Sequence, residues 1–114
     1  MGVSYSGIVK EGKGRAQVLG YPTANISLPD ADSSGIFVAQ VLVNGNMYTA
    51  AAFADQKRKL LEAHLLDFSG NLNGKEVTIT LVQKIRDGAN FADDRELIAA
   101  IAADVLKARE YFSK

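Results

Sequence analysis

Two short stretches of the chain carry side chains able to do chemistry. In the first, Gly12, Lys13, Gly14, Arg15 and Gly20 form a glycine-rich basic loop that runs into Tyr21, Pro22, Thr23, Ala24 and Asn25. Glycine lets backbone N–H groups approach phosphate oxygens, Lys13 and Arg15 can neutralise them, and Thr23 and Asn25 offer neutral oxygens to a hard cation. In the second stretch Glu62 lies two residues before His64. A carboxylate next to a phosphate site can take a proton from an alcohol. On spacing alone each stretch has a plainer alternative: a surface loop closed by a proline turn, and a solvated face of a sheet.

Composition narrows the chemistry further. The 114 residues contain no cysteine and one histidine, which removes thiol nucleophiles, disulfides, iron–sulfur clusters, thiolate zinc sites and a histidine-rich metal cage. Any metal must then be hard and oxygen-bound. Gly12 to Gln17 lacks the third glycine of a dinucleotide loop, no Walker-type phosphate loop is present, and no serine sits in a nucleophile elbow near the lone His64. Thirteen basic residues balance thirteen acidic ones, which argues against broad affinity for nucleic acid or anionic membrane. No apolar run reaches the roughly 18 residues of a membrane helix, and no signal peptide is apparent. The expected partners are small molecules, with no nucleic acid and no membrane; the expected protein is a cytoplasmic monomer. The zero charge is unevenly spread, with Lys10, Lys13 and Arg15 against Glu11 in the first 25 residues and only Asp30, Asp32 and Asp55 in the next 31.

The elements that must position these residues are mostly strands. The spacing predicts a strand around Tyr5 to Lys10, a nearly continuous apolar strand from Gly35 to Val43, and a hairpin through Asn44-Gly45 into Met47 to Ala51. Val77 to Val82 alternates as a strand should. Asp55 to Phe68 is ambiguous: its propensity is helical, yet as a strand it would point Leu61, Ala63 and Leu65 one way and Glu62 and His64 the other. Asp93 and Glu96 have the spacing of a capping box, and beyond them Leu97, Ile101, Val105 and Phe112, flanked by Ile98 and Leu106, predict an amphipathic helix. With 47% hydrophobic and 23% charged residues, the expected protein is one globular domain over 1–114, an antiparallel sheet closed into a small barrel under that helix.

Several short motifs occur here in a set order: Gly20 to Asn25 (GYPTAN), Glu62 to Phe68 (EAHLLDF), Gly74 to Val77 (GKEV), then Arg86 and Phe91 ahead of the final helix. In that order they resemble riboflavin kinases over nearly the whole chain. The resemblance implies a mainly β fold, a six-stranded antiparallel Greek-key barrel with a C-terminal amphipathic helix. It implies transfer of the ATP γ-phosphate to the 5′-hydroxyl of riboflavin, giving FMN. By that likeness Thr23 and Asn25 help hold Mg²⁺, and Gly12, Lys13, Gly14, Arg15 and Gly20 lie over the nucleotide phosphates next to Pro22. Glu62 is the catalytic base, which makes the ambiguous segment a strand, and Arg86 and Phe91 belong to a flap near the flavin. The chain differs from the usual family sequence at Ala16-Gln17, where Gly-Arg is common, at Asn73, and in a shorter stretch from Ala50 to Gln56. Those differences motivate a second reading, a non-catalytic flavin- or nucleotide-binding module. Many bacterial relatives carry an adenylyltransferase domain for which 114 residues leave no room, so FMN is the expected end product.

Overall fold

Asn44 and Gly45 adopt φ of 51° and 82°, left-handed at both positions, and so close the tight hairpin between β3 (Gly35–Val43) and β4 (Asn46–Asp55). Around this hairpin the computed structural model, which describes residues 3–10, 22–29, 33–68, 70–88 and 93–113, builds one six-stranded antiparallel sheet. The other strands are β1 (Val3–Ile8), β2 (Thr23–Ser27), β5 (Leu60–Leu65) and β6 (Glu76–Arg86). Their spatial order is β1-β6-β3-β4-β5-β2. β3, β4 and β5 form a meander, and β2 lies beyond β5 as the Greek-key strand.

The two outer strands, β1 and β2, curl toward each other and nearly close a barrel. The N–H of Lys10 donates to the carbonyl of Asn25 at 2.8 Å across this seam. Gly7 permits the approach, since a Cβ there would sit 3.2 Å from Cβ of Ile26. Inside the barrel, large Ile26, Leu61, Leu65, Val77 and Ile79 interleave with Ala24, Ala39, Ala50, Ala52, Ala54 and Ala63. The alanines are needed because a six-stranded barrel is too narrow to hold large side chains on every strand.

A second apolar layer explains why β3 reads as apolar on both faces. Val38 and Ala51 point out of the barrel and are covered by helix α1 (Asp94–Phe112), where Leu97, Ile101, Val105, Ala108 and Phe112 meet them along with Val82 and Ile85. Asp93 caps this helix by accepting the N–H of Glu96 at 3.0 Å, as the sequence predicts. Two expectations need correction. Ile98 and Leu106 are 40% and 55% exposed and lie off the buried stripe, because the sheet beneath is only wide enough for one ridge of the helix. The first strand runs from Val3 to Ile8 and not from Tyr5 to Lys10; after Ile8 the backbone turns its bonds to Lys75, Gly74 and Asn25.

β5 is a strand despite its helical propensity. Leu61, Ala63 and Leu65 are at most 1% exposed inside the barrel, and the segment pairs with β2 on one side and β4 on the other. Packing overrides propensity here, helped by a turn at residues 56–59 in which Lys59 takes a φ of 55° that no helix tolerates. Among the described residues no helix is long and apolar enough to cross a membrane.

Candidate active site

β2 and β5 face each other with Thr23 opposite His64 and Asn25 opposite Glu62. Ala24, Ile26, Leu61 and Ala63 fill the interior, so strand alternation sends these four polar residues to the outer face together. Directly opposed residues lie about 4.5 to 5.5 Å apart. Thr23 and Asn25 are nevertheless buried, each 6% exposed. The Oδ1 of Asn25 has no hydrogen-bond partner among the described residues.

A buried carbonyl oxygen without a donor is costly, and natural proteins keep few of them. A hard cation is the partner that chemistry supplies for such an oxygen beside a threonine hydroxyl, so the donor set fits Mg²⁺. Among the described residues no group of three His, Cys, Asp or Glu could hold a metal by itself. Phosphate and water are the oxygen ligands that would add to Thr23 and Asn25 around such a cation. Asn25→Leu is expected to leave the melting temperature of the free protein within a few degrees and to abolish the stabilisation given by MgADP, as read by thermal shift.

His64 shares a 3.2 Å hydrogen bond with the hydroxyl of Thr23 through Nδ1. Burial pushes the imidazole down from 6.5 to about 4, so the ring is neutral near pH 7. The unfolded chain takes up this proton below its ordinary pKa and the folded chain resists it. Stability present above pH 6.5 is therefore lost as the pH falls toward 4. Between about pH 7 and about pH 5 the parent should lose about 2 kcal/mol more than His64→Gln, measured by urea unfolding of both.

Glu62 has three neighbours on the outer face. Asn25 lies on one side and the half-buried Phe53 of β4 on the other. The third is Arg58, whose Nη2 donates to Oε1 of Glu62. Arg58 is itself gripped by Asp55: Oδ2 accepts Nε at 2.6 Å, and Oδ1 accepts the backbone N–H groups of Lys57 and Arg58 at 3.1 and 3.2 Å. Partial burial raises the Asp55 carboxyl, but the Arg58 donors outweigh it and hold the group below the usual carboxylate range.

The register extends this row across the barrel. Asn25, Glu62, Phe53, Ile36 and Arg86 oppose one another in turn over five strands. Arg86 thus shares the face with Glu62 but lies three strands away, about 14 Å at ordinary strand spacing. There it is clamped to helix α1, with Nε and Nη2 donating to the two carboxylate oxygens of Asp104 at 3.1 and 2.8 Å. Two register shifts opposite β3 turn the end of β6 toward this contact. The structure brings Thr23, Asn25 and Glu62 together, with Pro22 alongside, its carbonyl accepting the N–H of Leu65. Gly12, Lys13, Gly14, Arg15, Gly20 and Phe91 lie outside the described residues. Of the described residues on either side of the glycine-rich stretch, Lys10 is bonded to Asn25 and Pro22 to Leu65.

Sequence reasoning passed over Asp104 and Asp55. Asp104 carried a signal, as an acidic residue on the helical face of Ile101, Val105 and Ala108. Asp55 lies three residues before Arg58, the spacing of an aspartate that organises a turn.

Buried Thr23 and Asn25, the latter in register with Glu62, put two neutral oxygens and a carboxylate together on the outer wall of an antiparallel barrel, a set with the chemistry to take a cation beside a proton acceptor. Comparison with known proteins makes this specific. The riboflavin kinase (flavokinase) family model matches residues 2–112, and the chain belongs to that family. It is 34% identical over 113 residues to the bifunctional riboflavin kinase/FMN adenylyltransferase of Mycoplasma pneumoniae, covering 95% of this chain and 42% of that protein. It is 37% identical over 117 residues to the Escherichia coli protein of the same name, covering 94% of this chain and 37% of that one. The chain thus spans about two fifths of the length of these curated relatives. Among solved structures, riboflavin kinase from Trypanosoma brucei superposes with a TM-score of 0.66 at 26% identity, over 97% of this chain and 80% of that one. A macrolide-efflux protein from Streptococcus pneumoniae gives 0.80 at 26% identity, over 95% of this chain and 38% of that one.

Proposed function

We propose that this protein is a riboflavin kinase, transferring the γ-phosphoryl group of ATP to the 5′-hydroxyl of riboflavin. The observation that carries the reading is the register pair Asn25–Glu62, a buried oxygen lacking a donor among the described residues, directly opposite a carboxylate. In this mechanism Thr23 and Asn25 would hold Mg²⁺, which would supply charge neutralisation at the nucleotide phosphates. Gly12, Lys13, Gly14, Arg15 and Gly20 cover those phosphates, with Pro22 setting the entry to β2. Glu62 orients the 5′-hydroxyl and receives its proton as the oxygen–phosphorus bond forms and the bond to the β-phosphate oxygen breaks, releasing ADP. Most of the rate enhancement then comes from positioning and charge neutralisation. His64, neutral and bonded to Thr23, fixes the hydroxyl of that residue and takes no proton. Phe53 offers an aromatic face next to the base, Arg86 borders the flavin from the far end of the row, and Phe91 is assigned to the same flavin flap.

The same reading makes the protein a cytoplasmic monomer acting on small molecules. Incubation with riboflavin, ATP and Mg²⁺ followed by chromatography tests it. FMN should accumulate with ADP in equal amounts. Binding of flavin or ADP without any FMN, at high protein concentration, would replace this reading with the non-catalytic module.

A further inference from the structure

The turn between β4 and β5 places a cation on the proposed base. Asp55 holds the Lys57 and Arg58 backbones and the Nε of Arg58, while Nη2 of the same guanidinium reaches Glu62. The Arg58 side chain is 56% exposed and that of Glu62 is 14% exposed, so the guanidinium is open to an arriving ligand while the carboxylate is largely enclosed. The cluster adjoins Asn25, which lies directly opposite Glu62 and whose Oδ1 has no hydrogen-bond partner among the described residues.

We propose that Arg58 is a further catalytic residue: with nucleoside triphosphate bound, its guanidinium stays held at Nε by Asp55 and swings Nη2 from Glu62 to the terminal phosphoryl oxygens. This rests on the kinase reading. Three features support it. A guanidinium presents five N–H donors in a planar fork matched to phosphate, and Asp55 engages only the inner edge of that fork. The turn bonds fix the root of the side chain before any ligand arrives, which lowers the entropy cost of the contact. The reaction also removes the present partner. As the 5′-oxygen bonds to phosphorus and the bond to the β-phosphate oxygen breaks, the hydroxyl proton passes to Glu62, whose charge is cancelled. With Asp55 keeping Nε, the phosphoryl oxygens are then the anion left to Nη2, in the position where transferring phosphoryl groups gain most from a cation.

Calorimetry on the full chain with MgATP and MgADP in the absence of flavin, together with steady-state FMN formation, tests the assignment. Arg58→Ala should weaken MgATP about tenfold and MgADP less than about twofold, because only the triphosphate has the contacted group. Its kcat should fall about a hundredfold or more, with partial recovery in Arg58→Lys and on adding guanidinium ion to Arg58→Ala. Arg58→Gln, which keeps a donor toward Glu62, carries the same comparison should Arg58→Ala not fold. Equal weakening of both nucleotides, or a kcat within about threefold of the parent, would reduce Arg58 to a staple of the turn while leaving the kinase reading intact. A parent that makes no FMN and binds neither nucleotide would overturn the kinase reading, and this inference with it.

Discussion

Replacing Glu62 by glutamine is expected to lower kcat for FMN formation about a thousandfold while riboflavin and MgADP bind within about threefold of the parent. Glutamine keeps the size of the side chain and an acceptor oxygen for Nη2 of Arg58, so the turn and the β5 register should persist. What it removes is the capacity to take the 5′-hydroxyl proton. Glu62→Asp, which keeps the carboxylate but withdraws it by one methylene, should fall between the two, because a base must lie within hydrogen-bond reach of its proton. Steady-state kinetics with titration calorimetry separates these effects. Retention of turnover in Glu62→Gln would remove Glu62 from the chemistry.

Arg86→Ala should produce the largest loss of stability, about 3 kcal/mol, and lower the melting temperature by about 10 °C or more. The cause is Asp104, whose side chain is 7% exposed and whose two oxygens are met by the Arg86 guanidinium. Removing the arginine leaves a buried carboxylate without its cation, which costs more than removing both charges. The double variant Arg86→Leu with Asp104→Leu should therefore recover much of the loss. A purely flavin-contacting arginine would behave oppositely, weakening riboflavin with little change in unfolding. Chemical denaturation of the parent and the two variants, with and without riboflavin, distinguishes the two roles for a residue that ends the register row and also pins helix α1.

Much of this architecture was legible in the residues. Asn44-Gly45 specified its turn because both positions accept left-handed angles, and Gly35 to Val43 read as a strand because both its faces are buried, one in the barrel and one under α1. Thr23, Asn25 and Glu62 were each visible as single residues, but their juxtaposition was not, since it depends on the pairing of β2 with β5, about 40 residues apart in the chain. β5 itself was undecided on propensity, because leucine, glutamate and alanine all favour helix and only tertiary pairing reverses them. A basic triplet such as Lys57, Arg58 and Lys59 is ordinarily a solvated turn; here Asp55 grips Arg58, so that one of the three reaches Glu62. Ile98 and Leu106 misled for a simpler reason, as apolar residues at a helix margin stay exposed when the surface beneath is narrow.

The most direct measurement is a single-turnover experiment with γ-labelled ATP, Mg²⁺ and riboflavin on the parent, Glu62→Gln and Asn25→Leu, following the label into the flavin. The parent should move the label to the 5′-oxygen of riboflavin in one exponential phase. Glu62→Gln should bind both substrates and transfer about a thousandfold more slowly, and Asn25→Leu should fail at the metal–nucleotide step. Label appearing in inorganic phosphate and never in flavin, or moving equally fast in all three proteins, would contradict the assignment of the Asn25–Glu62 pair as the phosphoryl-transfer centre.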